Sequence, residues 1–207
     1  MSFYRDQILS RGMARVMSTD EHTELRELAA GGLRGDVVEI GFGAGLNLPA
    51  LPRGVRSLHA VDPDRVGRRL AAERIEQASA EVHYAGLDGQ TLQLGTNSMD
   101  AALSTWTLCT IPDMPAALSE LRRVLKPGGA FHFLEHGLSP DPKLARWQCV
   151  MNPMQQIFAG GCRLNVPIAD IIHDAGFHIV ELDNFFMSGV RTASYMYRGV
   201  AINPAQS

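Results

Sequence analysis

The chain has 207 residues, 45% hydrophobic and 20% charged, which is enough for one globular domain with a sizeable core and too little for a second full one. A formal net charge of −3 gives no general attraction to phosphate backbones and argues against a nucleic-acid substrate. Three cysteines, Cys109, Cys149 and Cys162, form no CxxC pair, and there is neither a signal-peptide pattern nor an uncharged run of membrane-spanning length. A cytoplasmic protein without an integral membrane segment is predicted.

In chain order, Ile8, Leu9, Met13, Val16 and Met17 recur at helical spacing up to Ser18-Thr19-Asp20. A second helix is expected from Glu21 to Ala30, stopped by Gly31-Gly32. Then comes VVEIGFGAG, Val37 to Gly45, where an apolar run ends in Glu39 and passes into glycines at 41, 43 and 45. That is the pattern of a buried strand turning into a tight ligand loop, because glycine lets a flat ligand reach the backbone and tolerates positive φ. Its spacing is GxGxG, with Leu46 where the hydride-transfer fingerprint GxGxxG has its third glycine, which counts against a pyrophosphate cradle. A second strand, Ser57 to Val61, ends in Asp62, 21 residues after Gly41, the distance at which the next strand tip offers a carboxylate to ribose hydroxyls.

Glu39-x-Gly41-x-Gly43-x-Gly45 with Asp62 resembles the first two motifs of class I S-adenosylmethionine (SAM) dependent methyltransferases. The resemblance implies that the glycine loop approaches methionine and ribose, that Asp62 takes the ribose diol, and that SAM is the cofactor. It also implies that residues 1–35 form a helical cap over the cofactor, with Phe3 and Tyr4 as wall residues, although an amphipathic helix merely closing the core fits the same pattern.

After Asp62, Pro63 and Asp64 start a helix through about Ile75, and Glu81 to Ala85 reads as a third strand. In the family the loop after this strand gives an acid to the adenine amino group, and Asp88 is the acid available, although an Asp beside Gly is also an ordinary turn residue. A fourth strand, Ala101 to Thr105, makes Thr105 and Trp106 candidates to flank the methionine end, since ligands of open α/β sheets sit at the carboxyl ends of the strands. Cys109 beyond them has no cationic neighbour in sequence to activate it and reads as a small buried hydrophobe. Ala117, Leu118, Leu121, Val124 and Leu125 form one apolar helix face, ended by Lys126-Pro127-Gly128-Gly129 before a fifth strand from Ala130 to Leu134.

Glu135 and His136 sit at the tip of that strand. FLEHG, Trp147 and Gly160-Gly161-Cys162, with SMDAALSTWTLCTIPD, resemble the methyltransferase-like seven family of alkyl-thiol methyltransferases and their bacterial relatives, over residues 36 to 202. The animal members carry an N-terminal membrane anchor, and its pattern is not found here. Leu138 to Pro167 shows no strand pattern and reads as a substrate-side insertion, with Trp147, Val150, Met151, Met154, Ile157 and Phe158 at helical spacing interrupted by Pro153, which predicts a kinked or split helix. Methionines suit irregular apolar ligands, so Trp147, Met151, Met154 and Phe158 are the candidate acceptor-site residues, unless the stripe merely covers the sheet edge. A short helix from Ile168 to Ala175 and two strands, Phe177 to Leu182 and Ser194 to Ile202, complete the chain. The apolar loop Phe185 to Arg191 between them offers a second acceptor wall.

The predicted fold is therefore α/β: one Rossmann-like, doubly wound, seven-stranded sheet with an antiparallel last strand. The predicted activity is methyl transfer from SAM to a small apolar acceptor, preferably a thiol, with His136 as base and Glu135 as its orienter. Phospholipid amine or quinone-type acceptors, a nucleotide-dependent oxidoreductase and a non-catalytic SAM-fold protein are the alternatives. No metal is predicted, since His132 and His136 lie four apart on a strand rather than on one helix face. The oligomeric state is not legible.

Overall fold

The structure, a computed structural model, describes residues 3–205, and within them no side chain of residues 3–9 or of Phe158. Phe3 and Tyr4, expected as wall residues, thus lie outside the described side chains. Seven strands form one sheet: β1 Gly35–Ile40, β2 Val55–Val61, β3 Glu81–Gly86, β4 Met99–Thr105, β5 Leu125–His136, β6 His178–Phe186 and β7 Tyr195–Ile202. Their order is β3-β2-β1-β4-β5-β7-β6. β1 pairs in parallel with β2 and β4, β2 with β3, and β4 with β5, whereas β7 runs antiparallel between β5 and β6. This is the sheet the sequence predicts.

The central strands are apolar on both faces because helices cover both. On one face Val38, Ile40, Ala102, Phe131 and Phe133 pack against Ala117, Leu118, Leu121 and Val124 of helix α5, Met114–Val124. Ile168 and Ile172 of α7, Ile168–Asp174, complete that layer. Neighbours along each strand turn to the other face, where Val37, Leu58, Ala60, Ala101 and Leu103 meet Ala30, Leu33, Phe42, Leu48 and Ala71. Ala30 belongs to α2, Asp20–Ala30, which follows α1, Phe3–Val16. The edge strands are exposed by contrast, and Glu181 and Asp183 of β6 place charge where it discourages pairing with another chain.

Three expectations change. The single helix expected after Asp62 is two, α3 Arg65–Leu70 and α4 Ala72–Gln77, separated at Ala71. The Arg74 guanidinium donates to the Leu70 carbonyl at 3.2 Å and to Ala44 O at 3.3 Å, so a side chain rather than the helix ladder takes that acceptor. The fifth strand begins at Leu125, directly after α5, and Lys126-Pro127-Gly128-Gly129 bulges out of it, since Met99 pairs with Leu125 and Ala101 with Ala130. Finally, Pro153 does not split the helix of the 138–167 segment: α6 runs unbroken over Pro142–Phe158. The carbonyl that Pro153 leaves without a donor belongs to exposed Cys149, where water can satisfy it.

The chain end is locked by Asn203, which is 3% exposed. Its amide donates to the carbonyls of Arg122 at 3.0 Å and Leu125 at 2.9 Å, tying the exit of β7 to the turn between α5 and β5. Asn203→Ala leaves these buried carbonyls unpaired and is expected to lower the unfolding free energy by about 2–3 kcal/mol. Urea denaturation of the two proteins, with unchanged m-value, is the check.

Candidate functional site

The connection direction reverses between β1 and β4, and the crevice at their carboxyl ends is where an open α/β sheet binds ligands. The loop leaving β1 lines it. Gly41, Gly43 and Gly45 have φ of +80°, +52° and +69°, the left-handed region that L side chains avoid. A Cβ on Gly41 would collide with the Thr107 side chain of the β4 exit loop, so at this position the two loops touch. A Cβ on Gly43 would meet nothing nearer than Gly41 O at 4.0 Å: the face of Gly43 is open. Beneath it, helix α3 comes so close that a Cβ on Gly67 would lie 2.8 Å from the Gly43 carbonyl.

Asp62 is 8% exposed, and its two oxygens accept from the amides of Gly43 at 2.7 Å and Asp64 at 2.6 Å. The β2-tip acid therefore shapes the glycine loop directly. Burial raises its pKa against the lowering effect of these two hydrogen bonds.

Glu39 is fully buried, and burial lifts its pKa to about 8 although the Asn47 amide and the Arg26 charge oppose the shift. Asn47 Nδ2 donates to Glu39 Oε1 at 2.7 Å and to Thr105 Oγ1 at 3.0 Å, while Arg26 Nη1 donates to Asn47 Oδ1 at 3.1 Å and to Thr105 Oγ1 at 3.0 Å. Burial lowers the Arg26 pKa to about 10. Its guanidinium also lies 4.6 Å from the centre of the Trp106 ring, and Trp106 packs against His22 with φ at +49°. Two buried atoms of this network have no partner, Glu39 Oε2 and Trp106 Nε1. An unpartnered carboxyl oxygen on β1, followed by a glycine loop with an open face, is what a ligand with a cationic group and a flat base such as SAM can use, so these residues fit it.

Asp88 is exposed and spends its Oδ1 on the amide and side chain of Gln90, both at 2.9 Å. It lines an open groove of about 610 Å³ with Arg65, Arg68, Tyr84, Leu87 and Thr91. Arg68 stacks 3.8 Å over the Tyr84 ring there.

At the tip of β5, Glu135 and His136 part company, as neighbours on a strand do. Glu135 is fully buried. Its Oε1 accepts from Ser104 Oγ at 2.7 Å and from the amides of Thr107 and Leu108 at 3.1 Å each, pinning the 3₁₀ turn Leu108–Thr110. Burial raises its pKa to about 7. The carboxylate thus holds the β4 exit loop, and its hydrogen bonds go there rather than to His136, which corrects the expectation of an acid orienting the imidazole.

His136 is half-buried, with Nδ1 3.9 Å from Cys162 Sγ, and Cys162 Sγ lies 3.3 Å from Cys109 Sγ. The hydrogen bond from Cys109, and then the imidazole, hold the Cys162 thiol below its usual range against its burial. Cys109 is buried, as a small hydrophobe would be, and its thiol and imidazole neighbours come from elsewhere in the chain, where adjacency in sequence does not report them.

The acceptor wall is only partly assembled. Trp147 and Met154 on α6 are 61% and 47% exposed and face solvent, Met151 is half-buried, and the Phe158 side chain lies outside those described. The helix is oriented by Gln148, whose side chain accepts from Ser139 N at 2.8 Å and donates to Gly137 O at 3.0 Å, turning the Trp147 stripe outward. The loop after β6 contributes more: Met187 packs with Ala29, Leu134 and Met196, flanked by Leu25, Trp106 and Phe185. Arg26, Asn47, Thr107 and Gly67 were not legible as site residues. A polar Asn between Leu46 and Leu48, and an Arg followed by a run that buries Ala29 and Ala30, were the signals available.

A methyltransferase domain model matches residues 38–133. Human thiol S-methyltransferase TMT1A is 28% identical over 174 residues, covering 78% of this chain and 68% of that protein. Rat thiol S-methyltransferase TMT1B is 31% identical over 159 residues, covering 71% and 62%, so the chain spans about two thirds of the length of these relatives. A SAM-dependent methyltransferase from Thermotoga maritima superposes with a TM-score of 0.70 at 20% identity, over 98% of this chain and all of that one. Architecture, matched domain and curated relatives agree: the chain has the class I methyltransferase fold, carries a methyltransferase domain over residues 38–133, and is similar along most of its length to SAM-dependent methyltransferases.

Proposed function

We propose that this chain methylates small, partly apolar thiols. When bound, SAM supplies an electrophilic methyl group whose bond to sulfur breaks as the bond to the acceptor forms. Glu39, Gly41, Gly43, Gly45, Asp62, Thr105 and Trp106 are the residues that would hold it, with Asp88 and the groove beside it at the adenine end. The α1–α2 cap and residues 138–167 belong to the acceptor side of the same domain. Positioning a nucleophile in line can supply roughly 7–11 kcal/mol of the barrier, so these residues need do little covalent chemistry.

The observation that carries the acceptor class is the withdrawal of Glu135. With that carboxylate committed to the β4 exit loop, the strand-five tip presents an imidazole and a thiol beside the Met187 and Leu134 cluster. Such a mouth suits a nucleophile that sheds its proton near neutral pH, as a thiol near pKa 8.5 does and an alcohol does not. The relatives named thiol S-methyltransferases support the same class. Among the described residues no helix is long and apolar enough to cross a membrane. The three free cysteines fit a reducing, cytoplasmic setting, and the charge balance fits a small molecule rather than nucleic acid.

The test is a comparison of alkyl and aryl thiols with matched phenols and amines at one SAM concentration. Thiol turnover that rises with pH toward the thiol pKa is expected. Turnover of a phenol or amine with every thiol inert would remove the acceptor assignment.

A further inference from the structure

Cys109, His136 and Cys162 come from three different places: the 3₁₀ turn after β4, the tip of β5 and the loop after α6. Their sulfur and nitrogen atoms all lie within 4.8 Å of one another. The two sulfurs, at 3.3 Å, are far too distant for a disulfide, which needs about 2.05 Å. They are close to what a shared metal imposes. Zn–S bonds of about 2.3 Å and Zn–N bonds of about 2.0–2.1 Å at tetrahedral angles place two sulfurs about 3.8 Å apart and a sulfur and a nitrogen about 3.6 Å apart. The observed 3.3 Å and 3.9 Å need adjustments of about half an ångström or less, and the third pair, Cys109 and His136, within 4.8 Å, closes by at most about 1.2 Å.

Each ligand is held by its surroundings rather than left to find its place. Glu135 fixes the Cys109 turn through the amides of Thr107 and Leu108. The loop carrying Cys162 is stitched to it by Arg163, whose amide and Nε donate to the Cys109 carbonyl at 3.0 Å and 3.2 Å. Gly160 and Gly161, at φ of +63° and +97°, turn the chain out of α6 so that Cys162 points inward. Cys109 and Cys162 are 1% and 7% exposed, whereas His136 is half-buried, so the triad opens on the histidine side.

We propose that Cys109, Cys162 and His136 form a Cys₂His site for zinc or a similarly thiophilic divalent ion, whose fourth position takes the acceptor thiol as thiolate. Three protein ligands with one open place is the arrangement of catalytic rather than structural zinc. The inference rests on the thiol reading above and deepens it: His136 is then a ligand, and the metal supplies the acidity assigned to a base. On binding, the acceptor's S–H bond breaks, its proton leaves to solvent and the sulfur pair bonds to the metal. Methylation turns that thiolate into a neutral thioether, a poorer ligand that vacates the position.

The probe is Co²⁺, which reports tetrahedral thiolate ligation by intense visible bands and a near-ultraviolet sulfur-to-metal charge-transfer band. Reduced, chelator-treated protein is expected to bind one equivalent with both signatures, to release it to Zn²⁺ and to show a changed spectrum when an alkyl thiol, but not a phenol, is added. Cys109→Ser and Cys162→Ser should lose the bands, and His136→Ala should weaken binding at least tenfold, with circular dichroism confirming that each variant is folded. Co²⁺ binding no stronger than that of the Cys109→Ser/Cys162→Ser double variant would overturn the site, as would a Cys109–Cys162 disulfide that persists in reductant. Because the titration needs neither SAM nor turnover, it stands apart from the acceptor screen: thiols inert in a protein that binds Co²⁺ as described would overturn the acceptor role, and thiol turnover undiminished by metal removal would do the same.

Discussion

Gly43→Val is expected to weaken S-adenosylhomocysteine binding by at least about a hundredfold, equivalent to about 2.7 kcal/mol, while the protein remains folded. The two halves of that result have separate causes. A Cβ at Gly43 meets no protein atom nearer than 4.0 Å, so the substitution does not collide with the fold and costs it only the left-handed backbone strain, roughly 1–2 kcal/mol. What the side chain does fill is the open face of the loop in the switch-point crevice. Gly128→Val is the matched control, because Gly128 has a φ of +78° and open space around it but lies in the bulge near the start of β5, at the opposite end of the sheet. It should lose similar stability and keep its affinity. Isothermal titration calorimetry of both variants decides the matter: normal binding by a folded Gly43→Val protein would mean that the ligand does not approach this loop.

Glu39→Gln should make the ligand-free protein more stable at pH 8 and a poorer binder. Burial raises the Glu39 pKa to about 8, above its unfolded value near 4.5. A raised folded-state pKa means that the group's stabilising contribution is complete below about pH 4.5 and is lost as pH rises through about 8. The glutamine variant removes this loss, so its thermal midpoint should exceed that of the wild type most clearly at pH 8. Binding runs the other way. Glu39 Oε2 has no partner in the fold, and it can act as an anion toward the ammonium group that SAM and S-adenosylhomocysteine share only after Glu39 loses its proton. Wild-type affinity for S-adenosylhomocysteine should rise by up to about tenfold per pH unit between pH 6 and 8, and the variant should bind weakly with little pH dependence. Melting curves and calorimetry across that range check both, and equal affinities of the two proteins at pH 8 would take Glu39 out of the cofactor site. The buried acid would then be a residue held at a cost in stability for no binding return.

The sheet was legible because its causes are local. Apolar runs such as Val37 to Ile40 and Ala101 to Thr105, the amphipathic helix that became α5, and glycines at 41, 43 and 45 each report their own burial or backbone conformation through neighbouring residues. Where the reading of the fold went astray, a distant side chain or solvent decided. Arg74 took the carbonyl that a continuous helix would have used, and an exposed carbonyl let Pro153 stay within α6.

The candidate ligand loop was readable from spacing, since Glu39 and the glycines are contiguous and Asp62 follows at a distance set by one crossover, and the resemblance to a family supplied the cofactor. Its partners were not. Arg26 reaches Thr105 because α2 packs near the end of β4, and Asn47 because β1 and β4 are neighbours, and a buried charge on an otherwise ordinary helix has no periodic signature. The same reason separates Glu135 from His136: adjacent in sequence, they face opposite sides of β5, and the one was claimed by the β4 exit loop while the other joined Cys109 and Cys162. Local patterning by itself determined the strand sequence and most of the helices, and it pointed to the loop after β1 as a candidate ligand site. Which side chains meet there was decided by the tertiary structure, because Arg26, Asn47 and Thr105, and separately Cys109, His136 and Cys162, come together only when the sheet order brings the ends of β1, β4 and β5 side by side.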